Sequence, residues 1–455
     1  MKKLDPRLPT GMRDSLPADM LRRQYAINQI ASTFERFGYE PLQTPVMELS
    51  ETLTGKYGED AERLIYFAQH ARSEEQLALR YDLTVPLVRA FAQHEGQISL
   101  PFRRYQIAPV WRADRPQRGR FREFFQCDAD VIGVATIDAD AEVVNLMDSA
   151  LVSLGFDDFA IKISNRKLLT GIGVYAGVEG EALANLYKAI DKLDKIGMDG
   201  VKKELIQGGI PAESVEKLIT MFESVQQGDT LGIKVGLERL EALRQQLQGI
   251  TEAEIGLGEL KNLFAMLQSL GVADQHIEFD ISMVRGLSYY TGPIFEAVLR
   301  SGDPEERVGS IGGGGRYDDL TGLFRKQGSL PVVGISLGIE RLIVIMDNRE
   351  MYPSSLNRTV VQVLVAVFND TMRPAAMRFV SELRQNGIRA ELYLGPVNKL
   401  GKQFAYADKK GIPLVALIAP DEDAQGLVKL KVLSSQQEST LARADAVQRI
   451  REFVR

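Results

Sequence analysis

Phe102-Arg-Arg-Tyr-Gln-Ile-Ala-Pro-Val-Trp111, a polar break from Ala113 to Gly119, then Phe121-Arg-Glu-Phe-Phe-Gln-Cys-Asp-Ala-Asp-Val-Ile-Gly-Val134: this stretch decides the fold. Two β-prone runs around a polar turn with proline and glycine predict a long antiparallel hairpin with an arginine-loaded tip. On the return run Gln126, Asp128 and Asp130 alternate, so the two-residue period of a strand sets all three on one face. Such a face is either a solvated surface or the wall of a site for a polar ligand. Seven arginines (Arg103, Arg104, Arg112, Arg115, Arg118, Arg120 and Arg122) fall in this window with no lysine among them. Planar guanidinium groups suit bidentate contacts to phosphate or carboxylate, with a solvated charged hairpin as the plain alternative.

Upstream, Asp19–Phe37 carries Met20, Leu21, Ile27, Ile30, Ala31 and Phe34 at helical spacing, with Gly38 as a stop signal. Tyr39-Glu-Pro-Leu-Gln-Thr-Pro-Val-Met-Glu48 reads as extended, because two prolines forbid a helix there. Leu77, Leu79 and Tyr81 alternate as in a strand, and Pro86 suits the first turn of a following helix. Residues 175 to 270 show repeated helical periodicity (Leu183, Leu186, Ile190, Leu193) and read as a helical insertion. Strand character returns at Ile277–Met283, Ile294–Leu299 and Gly309–Tyr317. A polar, linker-like stretch from Met351 to Arg358 precedes a β-α-β-α-β pattern. Its strands are Val360–Phe368, Ala390–Leu394 and Ile412–Ala419, with a further one at Leu427–Leu433. Its helices are Pro374–Asn386, Leu400–Lys410 (closed by Gly411) and Arg443–Val454. The alternation predicts a small α/β domain with parallel strands.

Composition narrows the function classes. The chain has 455 residues, 45% hydrophobic and 25% charged, which suits a soluble protein with ample core; at roughly 100–200 residues per domain, about two to four domains are expected. Apolar runs such as Pro413–Pro420 fall far short of the ~20 residues of a membrane span. The Met1–Pro9 segment has no apolar core of a signal peptide, so a cytoplasmic location is expected. Cys127 is the single cysteine, which excludes an internal disulfide and a cysteine-rich metal site. Lys and Arg number 55 against 61 Asp and Glu, for a net charge of −6, so a nucleic-acid partner would need a local basic patch. His70, His94 and His276 show no metal-ligand spacing, and His94 and His276 read as surface or structural residues. No nucleophilic triad can be argued.

Two more stretches could carry chemistry. Val284-Arg-Gly-Leu-Ser-Tyr-Tyr-Thr-Gly292 brackets a tandem tyrosine with glycines and places Arg285 after a strand-like run. Gly309-Ser-Ile-Gly-Gly-Gly-Gly-Arg-Tyr317, followed by Gly334-Ile-Ser-Leu-Gly-Ile-Glu-Arg-Leu342, removes Cβ atoms where backbone could approach a ligand. Neither matches a P-loop or a dinucleotide fingerprint, so phosphates would be held by side chains.

Taken together, these segments resemble the class II aminoacyl-tRNA synthetases, and within them the histidyl-tRNA synthetase family. Phe37–Pro45 is similar to the dimer-forming motif 1, residues 102–133 to motif 2 and Gly334–Leu342 to motif 3. The more specific signatures are Val284–Gly292 and Ile163-Ser-Asn-Arg-Lys-Leu-Leu169. Leu400–Pro413 is similar to the family's anticodon-binding domain. The resemblance implies an α/β fold, with an α+β catalytic core whose antiparallel sheet is flanked by helices, a helical insertion, and a C-terminal α/β anticodon-binding domain. The expected divisions are a first core segment with motifs 1 and 2 (1–170), the insertion (171–270), a second core segment with the histidine signature and motif 3 (271–350), the linker (351–359) and the anticodon-binding domain (360–455).

The implied chemistry is ATP-dependent ligation of L-histidine to tRNA(His) through a histidyl-adenylate, in a cytoplasmic homodimer with no membrane role. The resemblance assigns catalysis to Arg112 and Arg285. It assigns histidine binding to Asp82, Thr84, Gln126, Asp130, Tyr289 and Tyr290, with Asp82 and Thr84 on the ammonium and Asp130 and Tyr290 on the ring. ATP would be held by Arg112, Asp114, Arg120, Phe124 and Arg341, and tRNA touched by Arg115 and Gln117. Mg²⁺ would arrive on the phosphates, with no all-protein metal site. One position departs from the family: Ser288 stands where an acidic residue is usual. The second reading is a non-catalytic paralogue that binds histidine as a regulatory subunit of histidine biosynthesis; such a chain normally lacks the anticodon domain and the catalytic arginines.

Overall fold

The structure is a computed structural model that describes residues 4–57, 62–226, 228, 230–284, 289–300, 308–397 and 399–453. Contacts divide it into two units, one made of the segment up to Arg13 with Ala26–Met351, the other of Asp14–Tyr25 with Tyr352–Arg455. Nothing in the sequence marks Asp14–Tyr25 as separate, since a single helix, Pro17–Arg36, runs through that stretch and beyond it.

The first unit contains strands β1 (Glu40–Pro41), β2 (Met47–Leu49), β3 (Phe67–Ala68), β4 (Leu77–Leu79), β5 (Phe102–Trp111) and β6 (Glu123–Ile132). It continues with β7 (Phe159–Asn165), β8 (Ile277–Phe279), β9 (Pro293–Leu299), β10 (Gly312–Arg316) and β11 (Val332–Gly338). Among the described residues eight of these form one sheet in the order β1-β5-β6-β11-β10-β9-β7-β8. The β5–β6 hairpin is its centre of organisation, antiparallel from Phe102↔Ile132 to Trp111↔Glu123. On the far side of β6, β11 pairs so that Gly334 faces Asp130, Ser336 faces Asp128 and Gly338 faces Gln126. Only the outer pairs β1–β5 and β7–β8 are parallel. The helix Asp138–Ser153 presses Val143, Val144, Met147 and Leu151 into the core.

The expected extended stretch after the first helix is two short strands, β1 and β2, with an irregular connection between them. That connection is pinned from beneath: Arg80 donates from Nη1 to Thr44 O at 3.0 Å and from Nε to Pro109 O at 2.9 Å. The helical insertion consists of Arg166–Tyr175, Glu181–Ile190, Leu193–Gln207, Ala212–Gln226, Ile233–Gln246 and Thr251–Ser269. Asn165 caps the first of these, its side chain accepting from Lys167 N.

The C-terminal unit holds β12 (Val363–Val367), β13 (Ala390–Leu392), β14 (Leu414–Ile418), β15 (Leu427–Val432) and β16 (Glu438–Ala442), in the order β13-β12-β14-β15-β16. Val363, Val365 and Val367 face one apolar cluster, Leu364 and Ala366 the other, which explains the unbroken apolar run of β12. The expectation of parallel strands needs correction. The β12–β13 and β12–β14 pairs are parallel, but β14–β15 and β15–β16 are antiparallel. A parallel return needs a crossover of about a dozen residues or more; the short connections from β14 to β15 and from β15 to β16, the latter a turn with Gln436 at φ 57°, do not supply one. No helix among the described residues is long and apolar enough to cross a membrane.

Candidate active site

The face of the sheet that carries Gln126, Asp128 and Asp130 opens on a cleft of about 1030 Å³, its mouth included. Glycine makes the room. A Cβ on Gly334 would collide with the Asp130 carboxylate, and one on Gly315 would lie 2.9 Å from a Tyr290 ring carbon.

One end of the cleft is acidic and deeply buried. Asp82, 2% exposed, sits just before the helix Thr84–His94. Its Oδ1 accepts from Tyr57 Oη at 3.0 Å and from Val85 N at 3.1 Å, the latter satisfying an orphan donor of the first helical turn. Its Oδ2 has no hydrogen-bond partner among the described residues. Gln126 donates to Ser336 Oγ at 2.8 Å, which fixes its amide and leaves Oε1 equally unpartnered. Asp130 accepts a hydrogen bond from Tyr317 Oη, and its Oδ2 lies 2.7 Å from Arg104 Nη2 as an ion pair without hydrogen-bond alignment. Tyr289 packs on Tyr290 and Tyr317, with ring centroids 5.0 and 5.7 Å away.

Burial sets the electrostatics of this end. It pushes the carboxyls of Asp82 and Asp130 up, and that of Asp128 up to about 7. The opposing pull on Asp128 and Asp130 comes chiefly from the Arg104 guanidinium, and on Asp82 from the Val85 N–H and Arg112. Burial also drives the Tyr57 and Tyr317 hydroxyls well above their ordinary value, so both remain donors to their aspartates.

The other end is cationic and more open. Arg341, from the helix Ile339–Asn348, donates to Ser310 O and packs close to Gly119 at the hairpin tip. Asp114 and Arg120 are paired at 2.9 Å. Phe121 and Phe124 line the same region, and Glu340 accepts from Phe125 N at 3.0 Å, clamping motif-like segments of β6 and the helix together. Arg112 lies over the rings of Tyr81 (4.2 Å) and Phe124 (5.2 Å) and donates from Nε to Tyr81 O at 2.9 Å. It is thereby tied both to the Asp82 segment and to the aromatic end.

Of the residues singled out in the sequence, Asp82, Thr84, Arg112, Asp114, Arg120, Phe124, Gln126, Asp130, Tyr289, Tyr290 and Arg341 all line this one cleft. Arg115 and Gln117 do not; they are exposed at the hairpin tip, where Gln117 N bonds Arg120 O in a tight turn. Arg285, and Ser288 with it, lie outside the described residues. The expectation for the arginine cluster needs revision. Arg103 turns away to Glu142, Arg104 is wholly buried, Arg118 bonds Asn348, and Arg122 holds the carbonyls of Thr10 and Asp114. Only Arg112 and Arg120 of the seven line the cleft, because strand alternation and tip geometry aim the others elsewhere.

Tyr57, Tyr317, Ser336 and Arg104 were missed as functional residues. Each acts on a partner far away in sequence, which no local pattern reveals. Among the described residues no three His, Cys, Asp or Glu side chains cluster as metal ligands. His276 is buried against Asp148, at 2.6 Å, and belongs to the core.

Comparison with known proteins gives a consistent set of likenesses. Residues 11–342 match the family model described as histidyl-tRNA synthetase, and residues 362–453 one described as anticodon binding domain. The histidine–tRNA ligase of Cytophaga hutchinsonii is 41% identical, with 94% of this chain and 96% of that protein covered. That of Christiangramia forsetii is 39% identical, with 96% and 97% covered. The crystal structure of histidyl-tRNA synthetase from Nostoc sp. PCC 7120 superposes with a TM-score of 0.84 at 32% identity, covering 99% of this chain and 100% of that one.

Proposed function

The chain belongs to the histidyl-tRNA synthetase family, and from that premise we propose how its cleft carries out the ATP-dependent ligation of histidine to tRNA. The observation that carries the assignment is the pair of buried acceptors, Asp82 Oδ2 and Gln126 Oε1, without a hydrogen-bond partner among the described residues, on side chains that line a cleft also lined by Arg112, Arg120 and Arg341. Buried acceptors of this kind are stable only when a ligand brings donors to them. An α-amino acid with a ring N–H brings several: its ammonium for Asp82, Thr84 and Gln126, and its ring N–H for Asp130, with Tyr290 against the other side of the ring.

ATP occupies the cationic end, its adenine between Phe124 and Arg341 and its exocyclic amine toward Asp114. Mg²⁺ enters on the triphosphate as part of the substrate. Arg112, tied to both ends, stands where the amino acid's carboxylate meets the α-phosphate. Negative charge gathers there as the carboxylate attacks, so a fixed guanidinium stabilises the transition state more than the ground state. Arg285 is the second cation in this reading, by resemblance of its signature alone. The adenylate is then consumed by the 3′-terminal ribose of tRNA, guided by Arg115 and Gln117 at the exposed hairpin tip. The domain over 362–453 reads the anticodon.

We place the protein in the cytoplasm as a homodimer. The dimer reading is supported by Val46, Met47, Leu49 and Phe67, large apolar residues left exposed around the small β2–β4–β3 sheet next to motif 1. The regulatory-paralogue reading finds no support: the anticodon-binding domain is present, and Arg112 and Arg341 line the cleft. Histidine-dependent ATP–pyrophosphate exchange by the purified protein tests the function. Its absence, with the protein folded and ATP bound, would return the chain to the non-catalytic reading.

A further inference from the structure

Among the described residues Arg104 is the bulkiest of the wholly buried side chains, and it does not line the cleft. It stands on β5 directly opposite Asp130 on β6. Its Nη2 lies 2.7 Å from Asp130 Oδ2 and donates to Leu83 O at 3.1 Å. Leu83 is the residue between Asp82 and Thr84. One nitrogen thus touches both the carboxylate expected to read the ring and the turn expected to hold the ammonium. The other two nitrogens, Nε and Nη1, have no hydrogen-bond partner among the described residues. A buried guanidinium so incompletely satisfied is a poor way to stabilise a fold, because its desolvation rivals the attraction it gains. Packing alone gives no reason for an arginine here.

Resting on the ligase reading above, we propose that Arg104 is a positioning residue for histidine selection. From beneath the cleft it holds the Asp130 carboxylate and the Asp82–Thr84 turn in one fixed geometry, so that a side chain is accepted only when its ring N–H and its ammonium meet both acceptors together. Tyr317 donates to Asp130 Oδ1 while Arg104 pairs with Oδ2, so the carboxylate is held from both sides. Held in this way, it presents acceptor lone pairs and no donor to the ligand. Burial works against ionisation of Asp128 and Asp130, and Arg104 is the charge that offsets it most for both. A site built to accept one hydrogen bond rejects an isostere lacking the donor by far more than a hydrophobic pocket rejects a missing methylene.

The test uses the full-length protein in ATP–pyrophosphate exchange with two amino acids. One is histidine; the other is β-(2-thiazolyl)alanine, whose ring is close in size but has no N–H. Arg104→Met is expected to raise the histidine KM by about 10–100-fold, as for a lost charge-assisted contact, with the ATP KM within about threefold. The kcat/KM ratio of histidine to the thiazole analogue is expected to collapse by at least about tenfold. Arg104→Lys, which keeps the charge but offers a single nitrogen, is expected to recover part of that ratio. It also supplies the same readout should the methionine variant not fold. An unchanged ratio in both variants, with kcat/KM for the two amino acids falling equally, would overturn the proposal and leave Arg104 as a packing residue. Wild type without histidine-dependent exchange would overturn the ligase reading and this inference with it, whereas an active wild type with an unmoved ratio overturns the inference alone.

Discussion

Asp82→Asn separates binding from folding, because the two oxygens of this carboxylate do different things. Oδ1 accepts from Tyr57 Oη and Val85 N, and an asparagine carbonyl can keep both bonds. Oδ2 has no partner among the described residues and its side chain lines the cleft, so the substitution puts an NH₂ donor where a cationic ammonium is expected. Loss of a charge-assisted bond is worth about 1.5–3 kcal/mol, or roughly 10–150-fold in affinity, and opposed donors add to it. Stability should move the other way. Burial raises the folded pKa of Asp82 above its ordinary 3.8, so its contribution to stability is fully present below that value and is lost as pH rises through the folded pKa. Burial opposes ionisation of Asp82 in the ligand-free protein, and the amide removes that penalty. The expected outcome is a histidine KM raised at least tenfold in pyrophosphate exchange, with the ATP KM nearly unchanged. The Tm of the ligand-free variant should equal or exceed wild type at pH 7.5. A Tm lowered by several degrees, with the KM values for both substrates rising together, would refute the division of labour between the two oxygens.

Asp128→Asn is expected to raise Tm more at pH 8 than at pH 5 in the ligand-free protein. Burial lifts Asp128 from 3.8 to about 7, so the penalty for ionising it grows across that interval; equal shifts at the two pH values, read by differential scanning fluorimetry, would contradict it. Arg285→Ala is expected to slow exchange by about 10²–10³-fold while leaving histidine binding largely intact, as for removal of one transition-state donor; an unchanged rate would remove Arg285 from the chemistry. Truncation after Asn357 keeps Tyr352, which packs against Arg22 and Tyr25 of the first helix, and should leave exchange active while tRNA charging falls steeply. Charging equal to that of the full chain would give the C-terminal domain another role.

The fold was legible wherever local chemistry and tertiary role coincide. The β5–β6 hairpin announced itself by two apolar runs around a polar tip. The helix Leu400–Lys410 announced its end by Gly411, which takes the left-handed conformation at φ 74°. The edge strand Glu438–Ala442 was not legible. Its residues Glu-Ser-Thr-Leu-Ala are mostly exposed, so no apolar alternation marks them, and the antiparallel half of the C-terminal sheet went unseen with them. The insertion's first helix likewise starts inside a signature read for its family likeness rather than for its Asn165 cap.

The cleft was legible at its surface and opaque underneath, and the reason is geometric. A residue that touches substrate is chosen for its chemistry and stands out as Asp, Gln or Tyr in an unusual place. A residue that positions it is chosen by cross-strand register. Arg103 and Arg104 are neighbours of one type, yet one makes a half-buried pair with Glu142 and the other is wholly buried against Asp130. Nothing short of knowing that β5 pairs with β6 at Arg104↔Asp130 could tell them apart. The same register accounts for Gly334, which must lack a Cβ because Asp130 occupies that space. Three buried aspartates, two of them offset chiefly by the Arg104 guanidinium below and the third by Val85 N–H and Arg112, are a strained arrangement for the empty protein. A ligand that brings an ammonium and a ring N–H relieves it, and a ligand with fewer donors leaves some of it in place. Selectivity for histidine and the instability of the unliganded site therefore have one origin, which is why neutralising Asp82 or Asp128 should stabilise the fold as it spoils the function, whereas neutralising Asp130 would leave the buried Arg104 guanidinium without its ion-pair partner.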